Sequence, residues 1–443
     1  MAKTFPKGGV HPVENKFSAG KKIELLAIPK TVSIPISQHI GAPPSVIVAK
    51  GDKVKVGTLI AASGGFVSSS IHSSVSGTVN KIDNILDSSG YKRTAVIIDV
   101  DGDEWESSID QSETLSKQVN LTSEEIIKKI SESGIVGLGG ATFPSHVKLS
   151  VPKGKKADIL IINGVECEPY LTADHRLMLE KGGEIMVGAK ILMKALNVDK
   201  AIIGIENNKP DAIAHMTKLC ENSLGIEVYP LKVHYPQGGE KQLIKVCLNR
   251  EVPSGCLPID VGTVVHNVGT AYAVYEAIQK NKPLFERVVS VTGKKMKNTS
   301  KFMVRVGTPI SELIEAAGGL PGDTGKVVNG GPMMGKALNS LEVPVTKGTS
   351  GVLIFSEKES RRQEVLNCIR CSKCASACPM GLEPYLLMPF AERKMWDRVE
   401  EEKALDCMEC GSCSYTCPSK RPLLDYIRLG KANVLRIKRE KQK

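Results

Sequence analysis

The hydrophobic rhythm of the chain changes three times. Over residues 1–102 apolar and polar positions alternate, and glycines interrupt them. "VIVAKGDKVKVGTLIAAS" and "IHSSVSGTVNKID" predict short strands joined by Gly turns, hence a β-rich unit. Residues 103–121, "DEWESSIDQSETLSKQVNL", lose the alternation and read as a polar linker.

From 122 to 283 apolar strand-like runs alternate with helical periodicity. "TSEEIIKKISESG" opens with Thr122 and Glu125 at the spacing of a capping box. It also sets Glu124 and Glu125 four residues before Lys128 and Lys129, so a helix is predicted. "ADILIING", "KAIIGIE", "GIEVYPLKV" and "GTVVHNV" predict strands. Residues 172–196, "PDAIAHMTKLCEN", "GGEKQLIKVCL" and "GTAYAVYEAIQKN" predict helices. Such alternation implies a mainly parallel sheet covered on both faces. Residues 284–356 return to strands around one helix, "PISELIEAAGG", the outline of a β-grasp domain. From 357 to 425 the pattern is helical around cysteines, and 426–443 reads as a basic tail. The expected fold class is multidomain α/β and α+β: an N-terminal β-rich domain, a Rossmann-like α/β domain, a β-grasp domain and a C-terminal helical domain.

A length of 443 residues suits three or four domains of ordinary size. Aromatic residues make up only 4%, so the cores must rest on Val, Ile, Leu, Ala and Met. The longest apolar runs are far too short to span a bilayer. "MAKTFPKGGVHP" has no apolar h-region, so no secretory signal is expected. A cytosolic address follows, where clustered cysteines are metal ligands rather than disulfides. The net charge of +11 is uneven, because "RLGKANVLRIKREKQK" holds seven Lys or Arg against one Glu. Such a segment suits nucleic acid, anionic lipid, an acidic partner, or plain solvent. Aromatic residues do not interleave with the charges, and no nucleic-acid partner is expected.

Eight of the twelve cysteines lie in two copies of one pattern, "CIRCSKCASACP" and "CMECGSCSYTCP". Both have cysteines at offsets 0, +3, +6 and +10, and both end in Cys-Pro. A [4Fe–4S] cluster needs four thiolates around a compact cube. This run supplies three from one loop and sends the fourth away, and in two-cluster ferredoxins that fourth cysteine ligates the other cluster. On that pattern Cys368, Cys371, Cys374 and Cys417 hold one cluster, and Cys407, Cys410, Cys413 and Cys378 the other. Structural zinc, which favours paired C-x2-C knuckles, fits the spacing poorly. Cys167, Cys220, Cys247 and Cys256 show no ligand spacing and read as small buried side chains.

Two clusters carry single electrons, whereas cells supply many electrons as hydride pairs, so a flavin converter is expected. "GIVGLGGATFPSHVK" at 134–148 offers bare backbone to a phosphate or a flavin ring. It follows a helix rather than a strand, so it is not a Rossmann fingerprint. "INGVECEP" places Asn163, Glu166 and Glu168 just beyond a strand, where open α/β sheets bind ligands. "YPQGGEKQLI" opens a helix behind Gly-Gly, and "HNVGT" puts Asn267 at another strand-to-helix turn.

"GDKVKVG" followed by "VSGTV" resembles a biotinyl or lipoyl carrier fold. The segment between them, "SGGFVSSSIHS", has no carrier lysine. "GLGGATFPSHVK", "NGVECEP", "GGEKQL" and "HNVGTAYAVYEAI" resemble the FMN-binding flavoprotein subunit of respiratory complex I. With the β-rich start, the opening "FPKGGVHPVENK", the β-grasp segment and the ferredoxin repeats, the whole order resembles the RnfC family, the C subunits of Rnf complexes. By position, the resemblance implies FMN contacts at Gly137, Gly139, Gly140, Lys148, Asn163 and Asn267. It implies that Glu168 and Glu240 face a nicotinamide nucleotide. It further implies hydride exchange between NADH and FMN, and one-electron transfer to partner subunits of a membrane-bound, ion-translocating ferredoxin:NAD oxidoreductase. This subunit would be peripheral, on the cytoplasmic face, without a spanning segment of its own. The sequence departs from the complex I pattern after Lys148, at Val165 and at the second glycine of "GGEK". A cobalamin reductase with similar domain order and a non-catalytic iron–sulfur relay are the rival readings. "NGGPMMG" at 329–335 reads as a turn against the flavin domain rather than a ligand loop.

Overall fold

In the computed structural model, residues 2–221 and 223–441 are described. Residues 31–102 fold into two small sheets. One runs in the order Thr31–Pro35, Lys92–Gly102, Ser76–Leu86, Lys53–Val54, the other Ser45–Val46, Leu59–Ala62, Ile71–His72. Alternation places Val32, Ile34, Val79, Val96 and Ile98 inside, with Ile60 and Ile71 facing them. Residues 103–121 form no helix and no ladder strand, as expected of a linker, but they are not loose. Trp105 and Ile109 pack with Val56 and Phe285, and Asp110 bonds Lys280.

The next unit has a four-stranded, fully parallel sheet in the order Ile226–Leu231, Ala201–Glu206, Ile159–Asn163, Thr263–Asn267. Its helices are α1 (Ser123–Glu132), α2 (Ser145–Leu149), α3 (Ala173–Glu180), α4 (Gly182–Leu196), α5 (Pro210–Cys220), α6 (Glu240–Leu248) and α7 (Val268–Gln279). The capping box of Thr122 and Glu125 starts α1. The segment expected as one helix over 172–196 is two, α3 and α4, meeting at Lys181. Both faces of the sheet are buried, which is why its strands are continuous apolar runs. On one face α4 and α7 cross so closely that a Cβ at Gly188 would lie 1.9 Å from the Ala271 carbonyl. On the other face α6 covers Ile161, Ile202 and Val265.

A mixed six-stranded sheet follows, in the order Ile23–Leu25, Ser300–Arg305, Glu286–Thr292, Gly351–Ser356, Thr324–Asn329, Lys336–Ala337, with α8 (Ile310–Ala316) on one face. The C-terminal unit contains α9 (Glu357–Ser360), α10 (Lys373–Ser376), α11 (Pro384–Glu392), α12 (Trp396–Glu401), α13 (Ser412–Thr416) and α14 (Leu423–Lys441).

Two segments differ from the sequence reading. The expected basic tail is, in its described part, the continuation of α14. Its apolar stripe buries Ile427 and Val434 against α11 and α12, Lys438 pairs with Glu400 of α12, and Arg428 and Lys431 pair with Glu409. Residues 2–25 belong to neither sheet of the first β unit. They form an extended arm that crosses three others. Lys3 pairs with Leu231, Val10 with Tyr235, and the Gly9 N–H donates to the Ala377 carbonyl at 2.9 Å. Phe5 and His11 stack on either side of His234, and Ile23–Leu25 becomes an edge strand of the mixed sheet. Isolated Gly and Pro residues in "FPKGGVHPVENK" break the period-two pattern, so alternation could not show where the arm ends and the β unit begins.

Candidate functional site

The two cysteine loops follow one backbone course. Residues two and four after the first cysteine have left-handed backbone in both: Arg370 and Ser372 at φ 52° and 57°, Glu409 and Gly411 at φ 61° and 77°. Each loop runs into a one-turn helix, α10 or α13, which carries Cys374 or Cys413, and these helices pack on each other. Burial raises the Cys374 thiol, and Cys417 adds to the shift. Burial pushes Cys407 to about 11 and Cys413 to about 12, and there the added thiols include Cys410 and Cys378. Cys374, Cys378, Cys413 and Cys417 pack in one buried cluster. Among the described residues no three His, Cys, Asp or Glu converge tightly enough for a single metal ion.

The flavin candidates gather at the carboxyl ends of two adjacent strands, Ile159–Asn163 and Thr263–Asn267. Asn163 Nδ2 donates to the Gly238 carbonyl at 2.9 Å, and its Oδ1 accepts from Val165 N. Asn267 caps α7 by accepting from Gly269 N at 2.7 Å, and its Nδ2 donates to Asp174 Oδ2 at 2.7 Å. Gly139 has φ 78° and lies so close to Asn267 that a Cβ would be 2.8 Å from Nδ2. Gly140 has open space in front of it. Lys148 Nζ donates to Glu240 Oε1 at 2.6 Å and to the Val265 carbonyl at 3.1 Å. Glu240 is the first residue of α6, whose N-cap, Gly239, offers no side-chain cap. The free N–H groups and the dipole there favour an anion.

Three neighbours of this site, Asp174, His266 and Lys16, carried no role in the sequence reading, and a fourth, Glu166, was placed only at the strand end. Glu166, at φ 47°, accepts from Asp174 N and His175 N at the start of α3. Burial, with Glu166 adding, holds Asp174 well above the usual carboxylate range. Burial pushes His266 down to about 3, Lys148 adding, so the ring is neutral, and its Nε2 has no hydrogen-bond partner. Lys16, from the arm, donates to the carbonyls of Glu166, Glu168 and Leu171 at 2.9, 2.9 and 2.7 Å. A lysine some 150 residues upstream of its partners leaves no local signal.

The 235–242 turn joins the flavin side to the cysteines. The buried hydroxyl of Tyr235 donates to the Cys410 carbonyl at 2.8 Å. A Cβ at Gly239 would lie 2.4 Å from Met408 Cε, and Gln242 Nε2 reaches the Pro379 carbonyl at 3.4 Å. A cleft of about 350 Å³ opens here, lined by Glu240, Gln242, Cys256, Met380, Asp406 and Met408.

Comparison with known sequences gives matches along this order. Residues 3–103 match the RnfC barrel sandwich hybrid domain, 130–276 the Nuo51 FMN-binding domain, 288–337 the SLBB domain and 364–421 the 4Fe-4S dicluster domain. The C subunit of the proton-translocating ferredoxin:NAD(+) oxidoreductase complex of Clostridium ljungdahlii is 46% identical over 91% of this chain and 87% of its own. The C subunit of the Na(+)-translocating complex of Acetobacterium woodii is 44% identical over 98% of both chains. The chain belongs to the RnfC family. A third member, from Rhodobacter capsulatus, is 40% identical over 86% of this chain and 74% of its own.

In this RnfC-family chain the residues present fit the two kinds of cofactor. Bare backbone at Gly140, an uncapped helix start, the Lys148 ammonium and the unpartnered His266 Nε2 suit a flavin mononucleotide. Eight thiols in two like-shaped loops suit two [4Fe–4S] clusters. One expected contact is elsewhere. The Glu168 carboxylate does not face an open nucleotide site: it accepts from Met333 N at 3.1 Å and Met334 N at 2.8 Å, in the "NGGPMMG" loop of the SLBB domain. Burial lifts its carboxyl to about 7. The loop is a turn against the FMN-binding domain, and its two free amides account for the acid that sequence position alone assigned to a nucleotide.

Proposed function

We propose that this chain is the peripheral input module of an Rnf-type ferredoxin:NAD(+) oxidoreductase, exchanging hydride with NADH and single electrons with partner subunits on the cytoplasmic face of the membrane. FMN, when bound, supplies the two-to-one electron conversion, and the two clusters supply single-electron carriage. Gly137, Gly139 and Gly140 expose backbone to the flavin, Asn163 and Asn267 fix the turns on either side, and Lys148 offsets negative charge. Glu240 holds Lys148 in place and, at the mouth of the cleft, is the residue set to accept from ribose hydroxyls. Cys378, Cys407, Cys410 and Cys413 form the inner set, next to the FMN-binding domain. Cys368, Cys371, Cys374 and Cys417 form the outer set. Among the described residues no helix is long and apolar enough to cross a membrane, in line with a peripheral place in the complex. The finer fold reading is a lipoyl-like first domain, a Rossmann-like flavin domain and a β-grasp third domain. The strand orders given above support it.

One observation carries the reading. The turn that supplies Glu240 to Lys148 also supplies Gly239 to Met408 and Tyr235 to Cys410, so flavin and inner-cluster residues share one rigid corner. The test is an anaerobic NADH titration of the iron-loaded protein, following flavin and cluster absorbance together. Flavin bleaching followed by cluster reduction is expected. Bound FMN that dithionite reduces and NADH does not would remove the nucleotide assignment. Loaded clusters with no flavin bound would leave a relay only.

A further inference from the structure

The two cysteine loops share spacing and backbone course, yet their surroundings are opposite. In the second loop Cys410 and Cys413 are buried, Met408 packs on Gly239, and Glu409 is paired with Arg428 and Lys431. In the first loop every residue from 361 to 373 is exposed, Cys368 and Cys371 included. Val365, Leu366 and Ile369 are 54%, 53% and 67% exposed beside those thiols. Around them stand Arg361, Arg362, Arg370 and Lys373; the segment's own acid is Glu364, and Arg361 and Arg362 also reach the exposed acids Glu357 and Asp425, at 2.5 and 3.6 Å, which leaves the rim net positive. The segment is anchored: Leu366 N donates to the Ser419 carbonyl at 3.0 Å, and Ser419 Oγ donates to the Asn367 carbonyl at 2.9 Å. A fixed apolar centre with a charged rim is the anatomy of a protein interface. A cationic rim selects an acidic partner and speeds encounter with it.

We infer that residues 361–373 are the docking surface for an acidic iron–sulfur protein, and that electrons cross there between the outer cysteine set and the partner. The inference rests on the reading of the cysteines as cluster ligands given above. Each encounter moves one electron: the centre on one side is oxidised by one, the centre on the other is reduced by one, and no proton moves. The apolar residues exclude water from the contact, and the arginines orient the partner over the exposed thiols.

The test uses the full, iron-loaded chain and a purified acidic two-[4Fe–4S] ferredoxin as probe. Binding is measured at several salt concentrations for wild type, Leu366→Glu, Arg361→Glu with Arg362→Glu, and a distant control, Lys50→Glu. None of these positions is a cysteine of the motif, and iron content and EPR spectra verify that both clusters are kept. Leu366→Glu and the double arginine variant should each weaken binding at least about tenfold, and the arginine variant should flatten the salt dependence. Lys50→Glu should bind as wild type. Wild-type affinity in both surface variants overturns the assignment, as does wild-type protein that ignores the ferredoxin and binds anionic vesicles through these residues. Reduction of flavin and clusters by NADH is recorded in the same samples. Lost binding with intact NADH reduction supports both this surface and the function proposed above. Lost binding where NADH never reduces even wild type sinks that function and leaves the surface standing.

Discussion

Replacing Tyr235 by Phe removes one oxygen atom from the corner between the FMN-binding domain and the inner cysteine set. Tyr235 is 2% exposed, and its hydroxyl bonds the Cys410 carbonyl at 2.8 Å. The ring packs with Val10, Ala377 and Cys410, and Phe keeps that packing. What disappears is a hydrogen bond whose acceptor stays buried, out of reach of bulk water. Leaving such a group unsatisfied costs about 1–3 kcal/mol. On the equilibrium that opens the second loop, this is roughly a 5- to 150-fold change. The assay is iron release to a chelator from the anaerobically loaded protein, under conditions where release follows the opening equilibrium, with EPR separating the two clusters. The inner cluster should lose iron faster by that factor, while the outer cluster keeps the wild-type rate. Inner-cluster release within about twofold of wild type refutes the claim that the hydroxyl holds the loop. Equal acceleration of both clusters refutes the distinction between inner and outer sets.

Gly140→Trp should fold normally, since nothing lies in front of that position, and should lose bound FMN. An unchanged FMN-to-protein ratio after reconstitution removes Gly140 from the flavin site. Cys371→Ser should lower iron content by up to one cluster and abolish one of two reduced-cluster EPR signals, and a full iron count overturns its assignment as a ligand. Lys347 sits where three domains meet, its ammonium bonded to the carbonyls of Ser70 and Gly134, and burial pushes it down to about 7. Between that value and its ordinary 10.5 the folded chain binds fewer protons than the unfolded one, so this group makes stability rise with pH across the window, by several kcal/mol at most. Lys347→Met should remove that rise, seen as a smaller gain in Tm between pH 7 and pH 9 than in wild type. An identical gain would place the titrating group elsewhere.

The elements legible from sequence are those whose cause is local. The Thr122–Glu125 box, the apolar strands at 159–163 and 201–206, and the repeated cysteine offsets each act within a few residues. Their positions follow from periodicity and spacing. The turns at Asn163 and Asn267 were legible for the same reason, because a strand end followed by a helix start fixes where a polar residue can face. What stayed hidden depends on partners far along the chain. Glu168 looked free because its amide donors, Met333 and Met334, lie some 165 residues away in the third domain. Lys16 and Tyr235 looked ordinary for the same reason. The basic run at the end looked solvated because its charge was conspicuous and its stripe, Ile427 and Val434, was sparse. The difference between the cysteine loops could not be read either, since identical spacing says nothing about which copy another domain will cover.

The arm over residues 2–25 has a consequence in time. Its residues are made before their partners: the Gly9 amide waits for the Ala377 carbonyl, and Ile23–Leu25 for the strand at Ser300–Arg305. At ribosomal speeds of roughly 5–20 residues per second, Gly9 precedes its partner by about 20–70 s. During that interval the FMN-binding domain can close its own sheet, and Lys16 can already reach the carbonyls of Glu166, Glu168 and Leu171. Residues 8 and 9 are therefore among the last of the chain to settle. Because Gly8 rests directly on the backbone of Cys378, that part of the arm seats only on a finished cysteine unit. A nascent chain stalled before its ferredoxin repeats thus leaves Gly8 and Gly9 without their seat, a difference that a protease can read.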